Sequence, residues 1–163
     1  MIVTPKVSYL LSDRSLAALD RSRYLELHEK REALKARKGK VTEQLKKLGK
    51  NASSVAGKKL RTELGRLNLE IEKFSDAMKK CFKWQVASEY PLSMILTRDR
   101  LFAGGKGKIA AFDIRKGNIT WEKKVRGNAY GLAAASGRLY VSTDDGSIYC
   151  YRAPGSGKEE ARR

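Results

Sequence analysis

Catalysis needs a nucleophile or general base held beside a partner, and the single histidine has neither nearby. His28 sits between Leu27 and Glu29 in a helix-forming run, which predicts a surface or seam-edge imidazole. Cys81 and Cys150 are far apart and have no neighbouring Cys or His. A metal-ligand set and a disulfide framework are therefore both unsupported, and two buried small apolar side chains are expected. Asp144-Asp145-Gly146-Ser147 lacks the alternating oxygen ligands and closing Glu of a calcium loop, and reads as the Asp-Gly turn of a β-hairpin. Gly104-Gly105-Lys106-Gly107 leads into a strand-forming run, whereas a phosphate cradle opens a helix, so it too reads as a turn. No catalytic constellation remains. The chain is expected to be no enzyme and to carry neither metal nor cofactor.

What remains is electrostatic. Lys and Arg outnumber Asp and Glu by 35 to 18, a formal charge of +17, and attraction to nucleic acid or anionic membranes follows from that alone. Arg37, Lys38, Lys40, Lys46, Lys47 and Lys50 gather with Lys58, Lys59 and Arg61 on either side of a predicted turn, and form the one candidate contact site for an anionic partner. The competing reading is a solvated face, because charge runs on helices ordinarily serve solubility. No aromatic residue is interleaved among these cations to stack on bases.

The elements that must position this cluster are two helices. Residues 22–50 lack Pro, are rich in Lys, Glu, Leu and Arg, and place Leu27, Leu34, Val41 and Leu48 at heptad spacing. Gly49 and the Asn51-Ala52-Ser53-Ser54 run interrupt the pattern with a stop signal and capping candidates. Beyond it, Leu60, Leu64, Leu67, Ile71, Phe74 and Met78 alternate steps of four and three, an a/d seam. The spacing predicts an antiparallel coiled-coil hairpin whose arms of about 28 residues reach about 40 Å at 1.5 Å per residue. No run approaches the roughly 20 apolar residues of a membrane span.

After Trp84 the texture changes to short β-forming runs separated by Gly and Asp turns: 93–96, 101–103, 109–112, 119–125, 131–135, 139–142 and 148–151. Such spacing fits a sandwich, barrel or propeller. Self-similarity narrows the choice. Leu101 to Asp113 matches Leu139 onward with one extra turn residue, and Tyr9-Leu10-Leu11-Ser12-Asp13-Arg14-Ser15-Leu16-Ala17-Ala18-Leu19-Asp20 aligns without a gap to Phe102 through Asp113. Trp84 and Trp121 fall at equivalent places in this repeat, as packing between neighbouring repeats demands of a large flat side chain.

The segment Gly107-Lys108-Ile109-Ala110-Ala111-Phe112-Asp113-Ile114-Arg115-Lys116-Gly117-Asn118-Ile119-Thr120-Trp121 resembles the pyrroloquinoline-quinone-type (quinoprotein-type) propeller repeat, in which a strand ending Ala-Leu/Phe-Asp leads through a Gly turn to a Trp. The resemblance covers about 100 residues and implies four-stranded radial blades. Lys116 stands where that family favours Ser or Thr, Arg14 occupies the turn-Gly position of the first copy, and Arg152 replaces the Asp in the last. The 38–50 segment is similar to the N-terminal coiled-coil arm of the phenylalanyl-tRNA synthetase α subunit, although no synthetase catalytic motif follows it.

The expected fold is therefore α+β: a partial β-propeller of about two and a half antiparallel blades plus a long antiparallel coiled-coil hairpin. Residues 1–21 supply the first propeller strands, 22–80 the inserted basic hairpin, 81–152 the blades and 153–163 a disordered tail. The expected function is a non-catalytic binding or scaffold module whose coiled-coil arm engages a protein partner, with self-association as another way to complete a ring. RNA or tRNA binding through the hairpin tip is the alternative, and a fragment of a quinone-dependent dehydrogenase is a second. No export signal is visible, so a cytoplasmic location is expected for the chain as given and a periplasmic one if it is part of an exported parent.

Overall fold

In the computed structural model, which describes residues 1–49 and 53–152, the chain folds as two units. The first comprises Met1–Leu19 and Phe82–Arg163, and the second Asp20–Cys81. The tail expected at 153–163 lies outside the described residues, as does Lys50.

The first unit holds two antiparallel sheets. One has the order β1-β2-β3-β4, formed by Ile2–Val3, Val7–Leu11, Ser15–Asp20 and Phe82–Ala87. The β2–β3 turn closes without glycine, because the Ser12 hydroxyl accepts from the Ser15 amide at 3.1 Å and shapes the turn from the side chain. Although β4 follows β3 only after the whole helical segment, the two pair in register, Leu16 with Val86 and Ala18 with Trp84. The other sheet runs β5-β6-β7-β8-β9 in chain order: Ser93–Leu96, Arg100–Asp113, Ile119–Ala135, Arg138–Thr143 and Ile148–Arg152.

Strands β6 and β7 span 14 and 17 residues, each joining two runs that the sequence separates. Gly107 (φ 67°) and Gly127 (φ 74°) make this possible. Lys106 pairs with Asn128 and Lys108 with Lys124, so the glycines carry a bulge through the ladder at φ values that an L side chain adopts only with strain. The Gly104–Gly107 run predicted as a turn is thus strand interior. A Cβ at Gly105 would lie 2.6 Å from the Glu89 carbonyl oxygen.

One apolar cluster joins the two sheets: Tyr9, Leu16, Ala18 and Trp84 from the first meet Leu101, Ala103, Ala110 and Phe112 from the second, with Tyr90 between. A second cluster, around Ile109, Val125, Ala129, Leu139 and Val141, lies within the five-stranded sheet. Leu16, Leu101, Ile109, Phe112 and Val141 are fully buried, each contributing about 1.5–3 kcal/mol over exposure to water.

In the second unit, α1 (Arg21–Leu48) starts at Asp20, whose carboxylate accepts from the Arg23 amide at 3.1 Å, and ends at Gly49 with φ 47°. Helix α2 (Val55–Lys79) starts at Ser54, whose hydroxyl accepts from the Gly57 amide at 3.3 Å. Gly49 and Ser54 fall in the run expected to stop one helix and cap the next, while the Asp20 cap comes from a residue read as the end of a β repeat. The helices are antiparallel: the Asp20 amide donates to the Cys81 carbonyl at 2.8 Å, and Arg37 reaches Glu63. Neither helix is long and apolar enough to cross a membrane.

Two expectations about architecture are corrected. The sheets are open, with four and five strands, and form no propeller: continuous β6 and β7 merge the runs read as separate blade hairpins into one sheet. The helices form no long coiled-coil hairpin either. Only Val41 of α1 is buried, and of the α2 seam only Leu67 and Met78. The reason lies in α1, which offers one apolar residue per heptad to a helix that offers two, so knobs have no matching holes along the contact.

Candidate functional site

The described cations among those singled out in sequence lie on the end of the helix pair far from the Asp20–Cys81 closure, but the structure spreads them more widely than a single cluster. Lys46 and Lys47 occupy the last turn of α1, where the negative end of the helix dipole favours them. Lys58 and Lys59 lie at the start of α2, which has no acid in its first turn. There the dipole is positive and opposes them, so their placement lowers rather than raises helix stability. Arg37, Lys38, Lys40 and Arg61 sit farther back from the turn. On a helix advancing about 100° per residue, Lys40 and Lys47 share a face while Lys38 points nearly opposite. Lys38 is half-buried and the other described cations are exposed. Lys50 is not among the described residues.

Two of these cations are neutralised locally. Arg37 donates to Glu63 through Nε at 2.9 Å and Nη2 at 2.5 Å, and Lys47 lies 3.0 Å from Glu43. Among the described residues, Lys38, Lys40, Lys46, Lys58, Lys59 and Arg61 have no ion-pair partner. Glu43 is the sole acid between positions 37 and 61. The opposite half of the unit differs: Lys30 pairs with Glu26, Lys35 and Arg31 with Glu32, Arg66 with Glu70, and Lys79 with Asp76. Hydrogen bonds from Lys30, Lys35 and Lys79 hold Glu26, Glu32 and Asp76 below the usual carboxylate range. Charge is therefore segregated along the helices, balanced near Asp20 and Cys81 and unbalanced near the turn.

The remaining candidates have structural uses. His28 is half-buried on α1, 3.9 Å from Glu32 and stacked on Tyr24 at 6.3 Å between centroids. The Asp145 carboxylate accepts from Thr143 Oγ1 at 2.6 Å, Arg126 Nε at 2.8 Å and the Ser147 amide at 3.1 Å, which hold it far below the usual carboxylate range. Asp144 accepts from the backbone and side chain of Asn128, both at 2.7 Å. These bonds occupy the oxygens that a cation would need. No group of three His, Cys, Asp or Glu suited to a metal occurs among the described residues. Cys81 is buried, and burial pushes its thiol pKa up; Cys150, also expected inside, is exposed on β9 because it alternates with Tyr149 and Tyr151, which take the face packed on the core.

One surface escaped the sequence. Phe102, Trp121 and Tyr151 line a groove of about 1100 Å³ in the sheet unit, with Arg98, Arg100 and Lys123 around it. Trp121 meets Phe102 and Tyr151 edge-on, at 6.4 and 5.0 Å between centroids. Its residues come from five separate segments, and the only hint in the sequence is the recurrence of Trp84 at Trp121. No family model matches the chain, and no curated protein matches it.

Proposed function

We propose that this chain is a non-catalytic binding module whose helix pair contacts an acidic protein surface through its cationic end. The observation that carries the reading is charge segregation. A helix pair selected only for solubility gains by interspersing both signs, as the Asp20 end does. The turn end instead keeps unpaired lysines, two of them against the α2 dipole. Val55, 73% exposed beside them, adds an apolar contact that suits a protein surface better than a phosphate backbone. Nucleic-acid binding by the same end is the second reading, favoured by the density of cations alone.

The test titrates the full chain with polyglutamate and, separately, with an oligothymidylate of matched charge, at several salt concentrations. Polyglutamate should bind, and Lys46→Glu, Lys47→Glu, Lys58→Glu and Lys59→Glu together should abolish binding, while reversing the paired Lys30 and Lys79 should leave it within about twofold. Equal losses from both sets would reduce the effect to bulk charge and refute the site. Oligothymidylate binding tenfold tighter, with log K falling by about 0.7 per contacted phosphate per log unit of salt, would establish the second reading instead.

A further inference from the structure

The two tryptophans of the sheet unit stand at the same position of two β-pairs, and only one of them is covered. Trp84 pairs across the ladder with Ala18, and Trp121 with Ala111; in both cases the register shifts at the next residue, Leu19 in one and Phe112 in the other. The β6–β7 turn of the neighbouring sheet covers Trp84. Its indole N–H donates to the Ile114 carbonyl at 2.9 Å, and Gly117 (φ 74°) lies flat on the ring, so close that a Cβ there would fall 2.6 Å from Cδ2 and Cε3. The Asp113 carboxylate holds that turn in shape by accepting from the amides of Arg115 and Lys116, both at 2.8 Å. Trp84 is 8% exposed as a result.

Trp121 has no such turn over it: Phe102 stands beside it as Tyr9 stands beside Trp84, and Tyr151 meets it edge-on. Trp121 is half-buried at the floor of the 1100 Å³ groove, and among the described residues its indole N–H has no hydrogen-bond partner. The groove is too large and open for a typical small ligand, whose pockets span about 300–1000 Å³ and enclose most of the molecule. Its edge is cationic: Arg98 and Lys123 are exposed and without an ion-pair partner among the described residues, and Arg100 Nη1 donates to Thr120 Oγ1 at 2.5 Å. The one acid lining it among the described residues, Asp99, is 3.6 Å from Arg100 Nε.

We infer that the Trp121 groove is a docking site for a reverse turn of a partner polypeptide, with glycine over the indole face, a backbone carbonyl on the indole N–H, and carboxylates flanking the turn. The covered Trp84 supplies the shape of the occupant, and the cationic edge supplies its charge. A second copy of this chain fits poorly, since its equivalent turn already lies on its own Trp84 and each copy carries +17. This surface belongs to the sheet unit and does not depend on the role of the helix-pair lysines.

The test follows the two indole N–H signals of the full chain by ¹⁵N–¹H NMR, assigned with Trp121→Phe, during titration with the synthetic peptide Glu-Asp-Ile-Glu-Glu-Gly-Asn-Glu. The Trp121 signal should shift and saturate while the Trp84 signal stays in place. Valine in place of the peptide glycine should weaken binding at least tenfold, and so should Arg98→Glu combined with Lys123→Glu, two exposed positions whose change leaves the Trp84 signal as a check on folding. A Trp121 signal unmoved at millimolar peptide, or one moved equally by the valine peptide, overturns the proposal. Displacement of the peptide by a tighter-binding oligothymidylate would overturn it in favour of a nucleic-acid groove.

Discussion

Gly117→Ala offers the sharpest check on how the two sheets are held together. Two costs are readable at that position. At φ 74° an L-residue pays about 1–2 kcal/mol of local strain. The added methyl also lands 2.6 Å from two ring carbons of Trp84, and overpacking of that kind costs about 1–3 kcal/mol. Together they predict a loss of about 2–5 kcal/mol, a large part of the roughly 5–15 kcal/mol by which a domain is stable. Gly146 supplies the control: its φ is 83°, yet nothing lies within 4 Å of a built Cβ, so Gly146→Ala should show the strain alone. Urea unfolding followed by tryptophan fluorescence gives both values. The difference between them, about 1–3 kcal/mol, is the clash with the indole. It should shrink when Gly117→Ala is combined with Trp84→Phe, because a smaller ring leaves room for the methyl. Equal losses for Gly117→Ala and Gly146→Ala, or a clash that persists with phenylalanine, would refute the close indole contact and the docking argument built on it.

Leu16→Ala should cost about 2–5 kcal/mol in the same assay, since Leu16 is 0% exposed in the cluster joining the sheets, while Leu25→Ala on α1 should cost under about 1 kcal/mol. Asp145 has a folded pKa below its unfolded value, so it contributes stability above the ordinary carboxylate pKa that is lost as pH falls through the depressed folded one; Asp145→Asn should flatten the acid limb of a stability–pH profile. Tyr90 behaves with the opposite sign. Its burial, and then its 2.6 Å hydrogen bond to Glu122, raise the phenol pKa, so its contribution is complete below the ordinary tyrosine value and lost as pH climbs toward the raised one. Burial also raises the phenol pKa of Tyr9 and Tyr151, so several tyrosines should ionise late in an ultraviolet alkaline titration, and Tyr90→Phe should remove the last of those steps. Glu63→Gln should lower stability by no more than about 1 kcal/mol, because its pair with Arg37 is on the surface.

Local chemistry was readable along the chain wherever a few neighbouring residues settle the outcome. Gly49 and Ser54 cap the helices because backbone freedom or a side chain answers a need within one turn, and 93–96, 139–142 and 148–151 form strands because their alternation and flanking turns suffice. The same is true of the cationic stretch, since charge density is a property of composition and order. Continuity of strands was not readable. Gly107 and Gly127 look like chain reversals, and whether a positive-φ glycine turns a chain or bulges a strand depends on the strand paired opposite, which is remote in sequence. The heptad spacing of α1 likewise says that a stripe exists, not that its partner can interlock with it.

Trp84 and Trp121 show the division most plainly. Their equivalence was legible in the sequence, through the repeat that puts them at matching positions. That one is closed by Gly117 and the Ile114 carbonyl while the other lies open in a cationic groove emerges from the fold. Burial is a property of what approaches from elsewhere in the chain, and no residue carries that information in its own neighbourhood.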